Sequence, residues 1–414
     1  MKVKYIYSAC IVIETADCRI CCDPWFTQGI YDGSWYQYPR VTDPITAIGE
    51  IDFVYVSHIH PDHYDPTFLR ALFIANPDCE ILVGCENQDF LRTKMRHDGF
   101  EPLSVSRHSI GQTEIGIFPN FAHGEINIDS ALAVKSGNLT ITNMNDCPFD
   151  ENQVVAMREF CGGDPDLACL PYAGAGPYPQ MYLFDSDDQL ADATERKREQ
   201  FIDLFGRYLE ALRPRYAMPF AGLYFLGGTL RTRHAYRGVP DSLEVRERFG
   251  DSVVVLEEEF GEIDLKTGDV VRKRTHAHDS VARDRYLSQF DFVPYPYTVS
   301  SDVTVEEITA LLKDAHFKAV QRIRNLPTRW ICFKIMDSKY LCVQSEQPGT
   351  VSVVDKVEDF KDREVISIDK RLLHGLLTKK FHWNNAEIGS HFEFYRVPTS
   401  YDQRVYNFLN FLHV

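Results

Sequence analysis

The sequence lacks an even set of cysteines: their total, eleven, is odd, and only Cys18 and Cys21 lie in Cys-x-x-Cys spacing. A disulfide framework therefore has little support, and the adjacent Cys21-Cys22 pair inside an apolar run reads as free, buried thiols in a reducing cytoplasm. No stretch reaches the roughly 18–20 apolar residues that a membrane helix needs. The start, Met1-Lys2-Val3-Lys4-Tyr5-Ile6-Tyr7, is too short and too polar for a signal peptide and reads as a first strand. Positive charge is also in deficit: 44 Lys and Arg stand against 60 Asp and Glu, a formal charge of -16. That balance argues against non-specific nucleic-acid binding, favours solubility, and leaves room for a local basic pocket. With 414 residues, 44% of them hydrophobic, the chain can bury one large core or two modest ones.

The stretch His58-Ile59-His60-Pro61-Asp62-His63 organises what is present. It follows Ile51-Asp52-Phe53-Val54-Tyr55-Val56-Ser57, an apolar, β-branched run that reads as a buried strand. Pro61 ends the strand, so three imidazoles and a carboxylate gather on a loop at its end. Neutral nitrogen and anionic oxygen are the donors that borderline divalent ions such as zinc prefer. A lone His-x-His is more often a surface loop, but four donors beside a buried strand favour a metal site.

Earlier, Val3 to Ile13 and Arg19 to Cys22 read as strands, ending in Asp23-Pro24-Trp25-Phe26. Asp23 either accepts a hydrogen bond from behind a liganding histidine or simply opens a turn. The aromatic stretch Gly29 to Pro39, with Trp35, reads as a loop over a pocket mouth. Asp65-Pro66 signals a helix from Pro66 to Ile74. A strand over 80–84, a helix over 86–98, strands near 101–105 and 112–118, and a strand over 138–144 follow. This alternation fits a layered α/β domain. His123 and Asp146 each come after a strand, and either is ambiguous alone.

In this order, Asp23, His58 to His63, His123 and Asp146 resemble the metallo-β-lactamase superfamily. Asp23-Pro24-Trp25-Phe26, Ser57 to His63 with Asp65, and Asn143-Met144-Asn145-Asp146-Cys147 are similar to one branch of it. That branch holds ascorbate-6-phosphate lactonase, N-acyl phosphatidylethanolamine phospholipase D and the hydrolase-like part of CMP-N-acetylneuraminate hydroxylase. The likeness covers roughly residues 1–245 and is strong for fold and weak for substrate. It implies an αββα sandwich over 1–298. It also implies that His58, His60 and His123 hold a first metal, Asp62 and His63 serve a second, and Asp146 bridges them. Asp62 and His63 would be the catalytic pair, around a hydroxide shared between the ions. Asp23 and Asp65 would stand behind the ligands. Zinc is the expected ion, with iron or manganese as alternatives.

One departure bears on the second metal. Where the family commonly has a late histidine, this sequence reads Ala217-Met218-Pro219-Phe220-Ala221-Gly222-Leu223-Tyr224. The second ion would then be weak, absent, or completed from elsewhere, for example by His234. The hydroxylase of this branch owes its oxidation chemistry to a Rieske domain, and these 414 residues hold no Cys-x-His and Cys-x-x-His pair for such a cluster.

Candidate substrate contacts come from three places. They are Trp35, the Gly/Pro/Tyr loop Leu170 to Pro179 with Tyr172 and Tyr178, and the segment Arg231-Thr232-Arg233-His234-Ala235-Tyr236-Arg237. The arginine segment either clamps an anionic group or is a solvated basic face. Residues 193–212 form an amphipathic core helix, Val253 to Leu256 a strand, and Asp264 to Asp269 a hairpin turn. His276-Ala277-His278 reads as surface.

Pro294-Tyr295-Pro296 marks a boundary, and residues 299–414 read as a smaller α+β domain loosely similar to sterol-carrier-like domains. Its expected elements are a helix from Val305 to His316, strands at 329–336, 339–344 and 350–353, a helix from Lys370 to Leu377, and a last helix near 401–412. Through it the chain could form a homo-oligomer. His382-Trp383-Asn384-Asn385 is a polar-aromatic turn that capping explains as well as ligand binding does.

The leading expectation is a cytoplasmic metal-dependent hydrolase acting on an anionic small molecule, phosphoester or nucleotide-sugar-like. An iron-dependent redox enzyme in the same pocket and a non-catalytic binding or assembly protein are the alternatives.

Overall fold

The computed structural model describes all residues except 123–127, 258–259, 273–277, 301 and 337–338, together with the side chain of Met336. The expectations for His123 and His276 therefore fall outside the described residues.

The first strands are β1 (Lys2–Tyr7), β2 (Cys10–Glu14), β3 (Arg19–Cys22), β4 (Trp35–Tyr36), β5 (Phe53–Tyr55), β6 (Glu80–Val83), β7 (Leu103–Ser104) and β8 (Arg107–Ile110). There follow β9 (Thr113–Pro119), β10 (Ser130–Ser136), β11 (Leu139–Asn143), β12 (Leu167–Pro171), β13 (Tyr216–Phe220), β14 (Phe225–Leu226), β15 (Glu262–Asp264) and β16 (Val270–Val271). One sheet runs β16-β15-β1-β2-β3-β5-β6-β7, the second β13-β12-β11-β10-β9-β8, and β14 pairs with β4.

Period-two alternation sets the layers. Ile11 and Ile13 of β2, Ile20 and Cys22 of β3, and Phe53 and Tyr55 of β5 face the second sheet. They meet Leu132 and Val134 of β10, Leu167 and Cys169 of β12, and Met218 and Phe220 of β13. The odd-even partners Cys10, Val12, Cys21 and Val54 point the other way, against Phe68, Leu69, Leu72, Leu91 and Met95 of the helices Pro66–Ala75 and Asp89–His97. On the far side, Ala131, Ala133, Ala168 and Leu170 meet the helices Glu151–Cys161, Asp187–Leu212 and Ser242–Phe249. Each fully buried branched side chain contributes about 1.5–3 kcal/mol. A one-residue slip would turn each strand's inner set outward, so the register is firmly held. The result is the expected α/β fold, two sheets between two helix layers.

The helix expected from 193 begins earlier, at Asp187. Ser186 caps it and Asp187 and Asp188 favour its positive end, while its first turn is solvated and carries no apolar period. Leu170 and Pro171, read as loop, belong to β12. Of the strand expected at Val253 to Leu256, Val253 makes a bridge to Ala217 and the rest is irregular. The stretch Gly29 to Pro39 is not a mouth loop: Tyr31, Trp35 and Tyr36 are buried. The Trp35 ring stacks on Tyr224 at 3.2 Å between centroids, and aromatic area of that size is worth more inside than over a pocket.

The C-terminal part forms a five-stranded sheet in the order β19 (Ser352–Val354), β18 (Lys339–Val343), β17 (Trp330–Met336), β20 (Arg363–Ser367), β21 (Glu393–Val397). The helices Val305–Arg322, Lys370–Leu377, Trp383–Ile388 and Gln403–Phe411 cover it. Its core also takes in Met181, Leu230, Tyr295 and Tyr297 from before residue 298. Among the described residues, no helix is long and apolar enough to cross a membrane.

Candidate metal centre

Asp23, at the end of β3, and Ser57 to His63, after β5, meet because β3 and β5 are parallel neighbours. Asp23 is fully buried, with a left-handed backbone at φ 40°. Its Oδ1 accepts from the Ser57 backbone N–H at 2.7 Å, and its Oδ2 accepts from Ser57 Oγ at 2.8 Å. The same Oδ2 lies 3.0 Å from His63 Nδ1. Burial raises the Asp23 pKa, against the opposing pull of His63 and Ser57. As a carboxylate it only accepts, so the Ser57 hydroxyl proton points to it. Ser57 Oγ is then left to accept from His58 Nδ1, 3.0 Å away. That hydrogen bond leaves a lone pair on His58 Nε2.

His58 Nε2 faces His60 Nδ1 at 2.8 Å. On the other side of the His60 ring, Nε2 is 3.0 Å from Asn384 Oδ1. His63 Nε2 lies 3.4 Å from Asp62 Oδ2 and 3.6 Å from Asp146 Oδ1. Asp62 Oδ1 accepts from the Tyr31 hydroxyl at 2.5 Å. His63 Nε2 and Asp146 Oδ1 are buried and have no hydrogen-bond partner among the described residues. Ligand atoms of His58, His63 and Asp146 all lie within 4.8 Å of one another.

The charges divide sharply. Burial, then His63 and His60, hold His58 well below the usual histidine range. Burial opposes charge on His63, yet Asp146, Asp62 and Asp23 together lift it well above that range. Burial also opposes the Asp62 charge, but His63, His60 and Tyr31 keep it below the usual carboxylate value. Burial, with Asp146 beside it, pushes Asp129 up to about 8. Two histidine nitrogens meeting head-on and buried acceptors crowding an imidazole describe a donor set short of one cation. The set of imidazole and carboxylate donors fits a divalent metal ion.

The structure thus brings together His58, His60, Asp62, His63 and Asp146, with Asp23 behind them. Asp65 does a different job: it caps the Pro66 helix through Phe68 N–H and fastens the 26–27 turn through Phe26 N–H and Thr27. The proposed substrate contacts are spent elsewhere. Arg231 pairs with Asp291, and Arg233 binds Ser390 O, Phe392 O and Glu393. The Tyr172 hydroxyl is held by Glu257 at 2.6 Å, and Trp35 Nε1 donates to Ile388 O. His234 is half-buried against Phe225 and lies outside the ligand group found among the described residues. Tyr178 remains half exposed beside Tyr182.

Three neighbours of the cluster escaped the sequence reading. Asp129, whose Oδ1 is 3.9 Å from His58 Nδ1, opens β10, and a carboxylate just before an apolar strand was the available signal. Tyr31 sits in the aromatic stretch at φ 51°, followed by Asp32 at φ 57°, a strained pair that no side-chain pattern announces. Asn384 lies more than 300 residues from His60, and only tertiary structure joins them.

These features define the class. Residues 2–150 match the family model described as "Beta-lactamase superfamily domain". Among curated proteins, one from Mycolicibacterium smegmatis bearing the name Rieske 2Fe-2S iron-sulfur protein is 31% identical over 274 residues, 62% of this chain and 50% of that one. Cytidine monophosphate-N-acetylneuraminic acid hydroxylase of Mus musculus is 23% identical over 329 residues, 74% of this chain and 54% of that one. The chain spans about half the length of these relatives. Among solved structures, an isothiocyanate hydrolase from Delia radicum gut bacteria has 15% identity and a TM-score of 0.43, over 64% of this chain and 98% of that one.

Proposed function

We propose that the chain is a metal-dependent hydrolase acting on an anionic small molecule, of phosphoester or nucleotide-sugar-like chemistry. The observation that carries this reading is the convergence of His58, His63 and Asp146, with His63 Nε2 and Asp146 Oδ1 buried and without hydrogen-bond partners among the described residues. His58, His60, Asp62, His63 and Asp146 would hold the metal, joined by His123 on the strength of the sequence order. Bound there, one or two ions of zinc, manganese or iron would supply Lewis acidity and lower the pKa of water toward neutrality.

The chain's own groups do the rest. Asp62, fixed by the Tyr31 hydroxyl, is the acceptor that orients attacking water and takes its proton. Asp23 and Ser57 hold the imidazoles of His63 and His58 in place. Arg231 and Arg233 no longer argue for an anionic substrate. Support comes instead from a cavity of about 320 Å³ bordered by Asp32, Lys379, Lys380, His382, Asn385 and His413. Two segments that border it, Tyr31-Asp32 and His382 to Asn385, also touch the cluster through Tyr31 and Asn384.

Metal content per chain, measured after purification without added metal, tests the proposal together with phosphodiester and nucleotide-sugar hydrolysis. One or two ions and loss of turnover in His60→Ala are expected. No metal after reconstitution, or undiminished turnover in that variant, would overturn it. A second reading, oxidation at iron in the same pocket, is favoured by the hydroxylase and Rieske names of the relatives. Oxygen consumption and a visible absorption band in the iron-loaded protein would select it.

A further inference from the structure

We infer that Asn384, contributed by the C-terminal part of the chain, is a positioning residue that sets the tautomer of His60; the inference rests on the metal-centre reading above. His60 presents Nδ1 to His58 Nε2 at 2.8 Å and Nε2 to Asn384 Oδ1 at 3.0 Å. An amide oxygen only accepts, so it requires the proton on Nε2 and leaves the lone pair on Nδ1, the nitrogen that faces His58. In this orientation the amide Nδ2 donates to the Tyr406 hydroxyl at 2.9 Å. Asn384 thereby does for His60 what Asp23 and Ser57 do for His58, and the two lone pairs converge.

Capping does not account for this residue. The Trp383–Ile388 helix has His382 at its N-cap with no side-chain cap, and the Asn384 amide is spent on His60 and Tyr406. Its position is also fixed from several sides. Trp383 is buried and donates Nε1 to Leu412 O at 3.0 Å. Farther along, Trp35 Nε1 donates to Ile388 O at 3.3 Å, and His391 Nε2 donates to Tyr31 O at 2.8 Å. Arg233 Nη1 adds Ser390 O at 2.8 Å. Segment 384–391 is thus bound to the same Tyr31 that holds Asp62. The arginine that does not reach the cluster still serves it, by seating the segment that carries Asn384.

The test compares wild type, Asn384→Leu and Asn384→Asp, the first lacking the acceptor at nearly constant shape and the second restoring it. In metal-free protein labelled with 15N-histidine, long-range 15N–1H spectra report which His60 nitrogen is protonated, the resonance being assigned with His60→Gln. Wild type and Asn384→Asp should show the Nε2–H form, and Asn384→Leu a mixture. Zinc titration should show Asn384→Leu weakened about 10–100-fold, the usual cost of losing a partner behind a liganding histidine, and Asn384→Asp close to wild type. Near-UV circular dichroism confirms the fold of each variant. An unchanged tautomer in Asn384→Leu, with zinc affinity within about two-fold of wild type, would overturn the inference. Failure of wild type to bind any metal would remove the hydrolase reading, while the tautomer comparison would still decide the role of Asn384.

Discussion

Replacing Asp23 by Asn keeps the shape of the most buried carboxylate at the cluster and removes its charge. The Asn oxygen can still accept from the Ser57 backbone N–H, the contact now at 2.7 Å. Its amide nitrogen cannot accept from Ser57 Oγ or His63 Nδ1, which now sit 2.8 and 3.0 Å from Asp23 Oδ2. Two hydrogen bonds to a charged acceptor are lost, each worth about 1.5–3 kcal/mol, and His63 is left buried without that partner. The expected destabilisation is about 3–5 kcal/mol. Unfolding entropy of about 2.1 cal/mol/K per residue, over 414 residues, makes each kcal/mol worth about 1 °C if the chain melts as one unit. A fall in thermal midpoint of about 3–6 °C is therefore predicted, measured by scanning calorimetry of metal-free protein. The freed Ser57 hydroxyl would also turn toward His58 Nδ1, shifting the His58 proton to Nε2 and weakening zinc binding about 10–100-fold. A midpoint within about 1 °C of wild type, with unchanged zinc affinity, would refute the relay from Asp23 through Ser57 to His58.

Glu387 offers a pH test away from the metal ligands. Burial pushes its carboxyl up to about 8, with Glu364 adding and Arg396 opposing. The folded pKa is raised, so the stability this group contributes is complete below its unfolded value near 4.3 and is lost as pH rises through about 8. Glu387→Gln, neutral throughout, should match wild type near pH 4 and exceed it above pH 8 by on the order of a few kcal/mol in denaturant titrations. Equal stability of the two proteins at high pH would contradict the buried carboxyl. The cysteines make a third test. Cys85 is exposed, Cys161 is half-buried and the other nine are buried and free. Thiol titration with a disulfide reagent should find one fast and one slow group in native protein and all eleven after denaturation. Several fast thiols in the native state would show that the sheets open more readily than their packing implies.

The lettering of β2, β3 and β5 already contained the layers. Ile11, Ile13 and Ile20 alternate with Cys10, Val12 and Cys21, and a strand's side-chain period of two leaves one way to bury each set. The His58 to His63 cluster was legible for another reason: its residues are contiguous at a strand end, so their meeting needed no long-range contact. Helix starts were less legible where the first turn is solvated, as at Asp187, because capping rather than apolar spacing fixes them. The aromatic stretch around Trp35 misled, since sequence shows that a ring is large and not which neighbour covers it; Tyr224 and Ile388 do.

Sequence by itself determined the alternation that layers β2, β3 and β5 and the gathering of His58, His60, Asp62 and His63 at one strand end, since both follow from local periodicity and contiguity. The αββα sandwich and the place of Asp146 were expected only from the family resemblance. Tertiary structure alone decided that Arg231 and Arg233 serve internal contacts, that Tyr31 holds Asp62, and that Asn384 reaches His60. The Arg233 and Asn384 contacts depend on how the C-terminal part seats against the sandwich, and side chains far apart in the chain carry no local signal of which partner will exclude water from them.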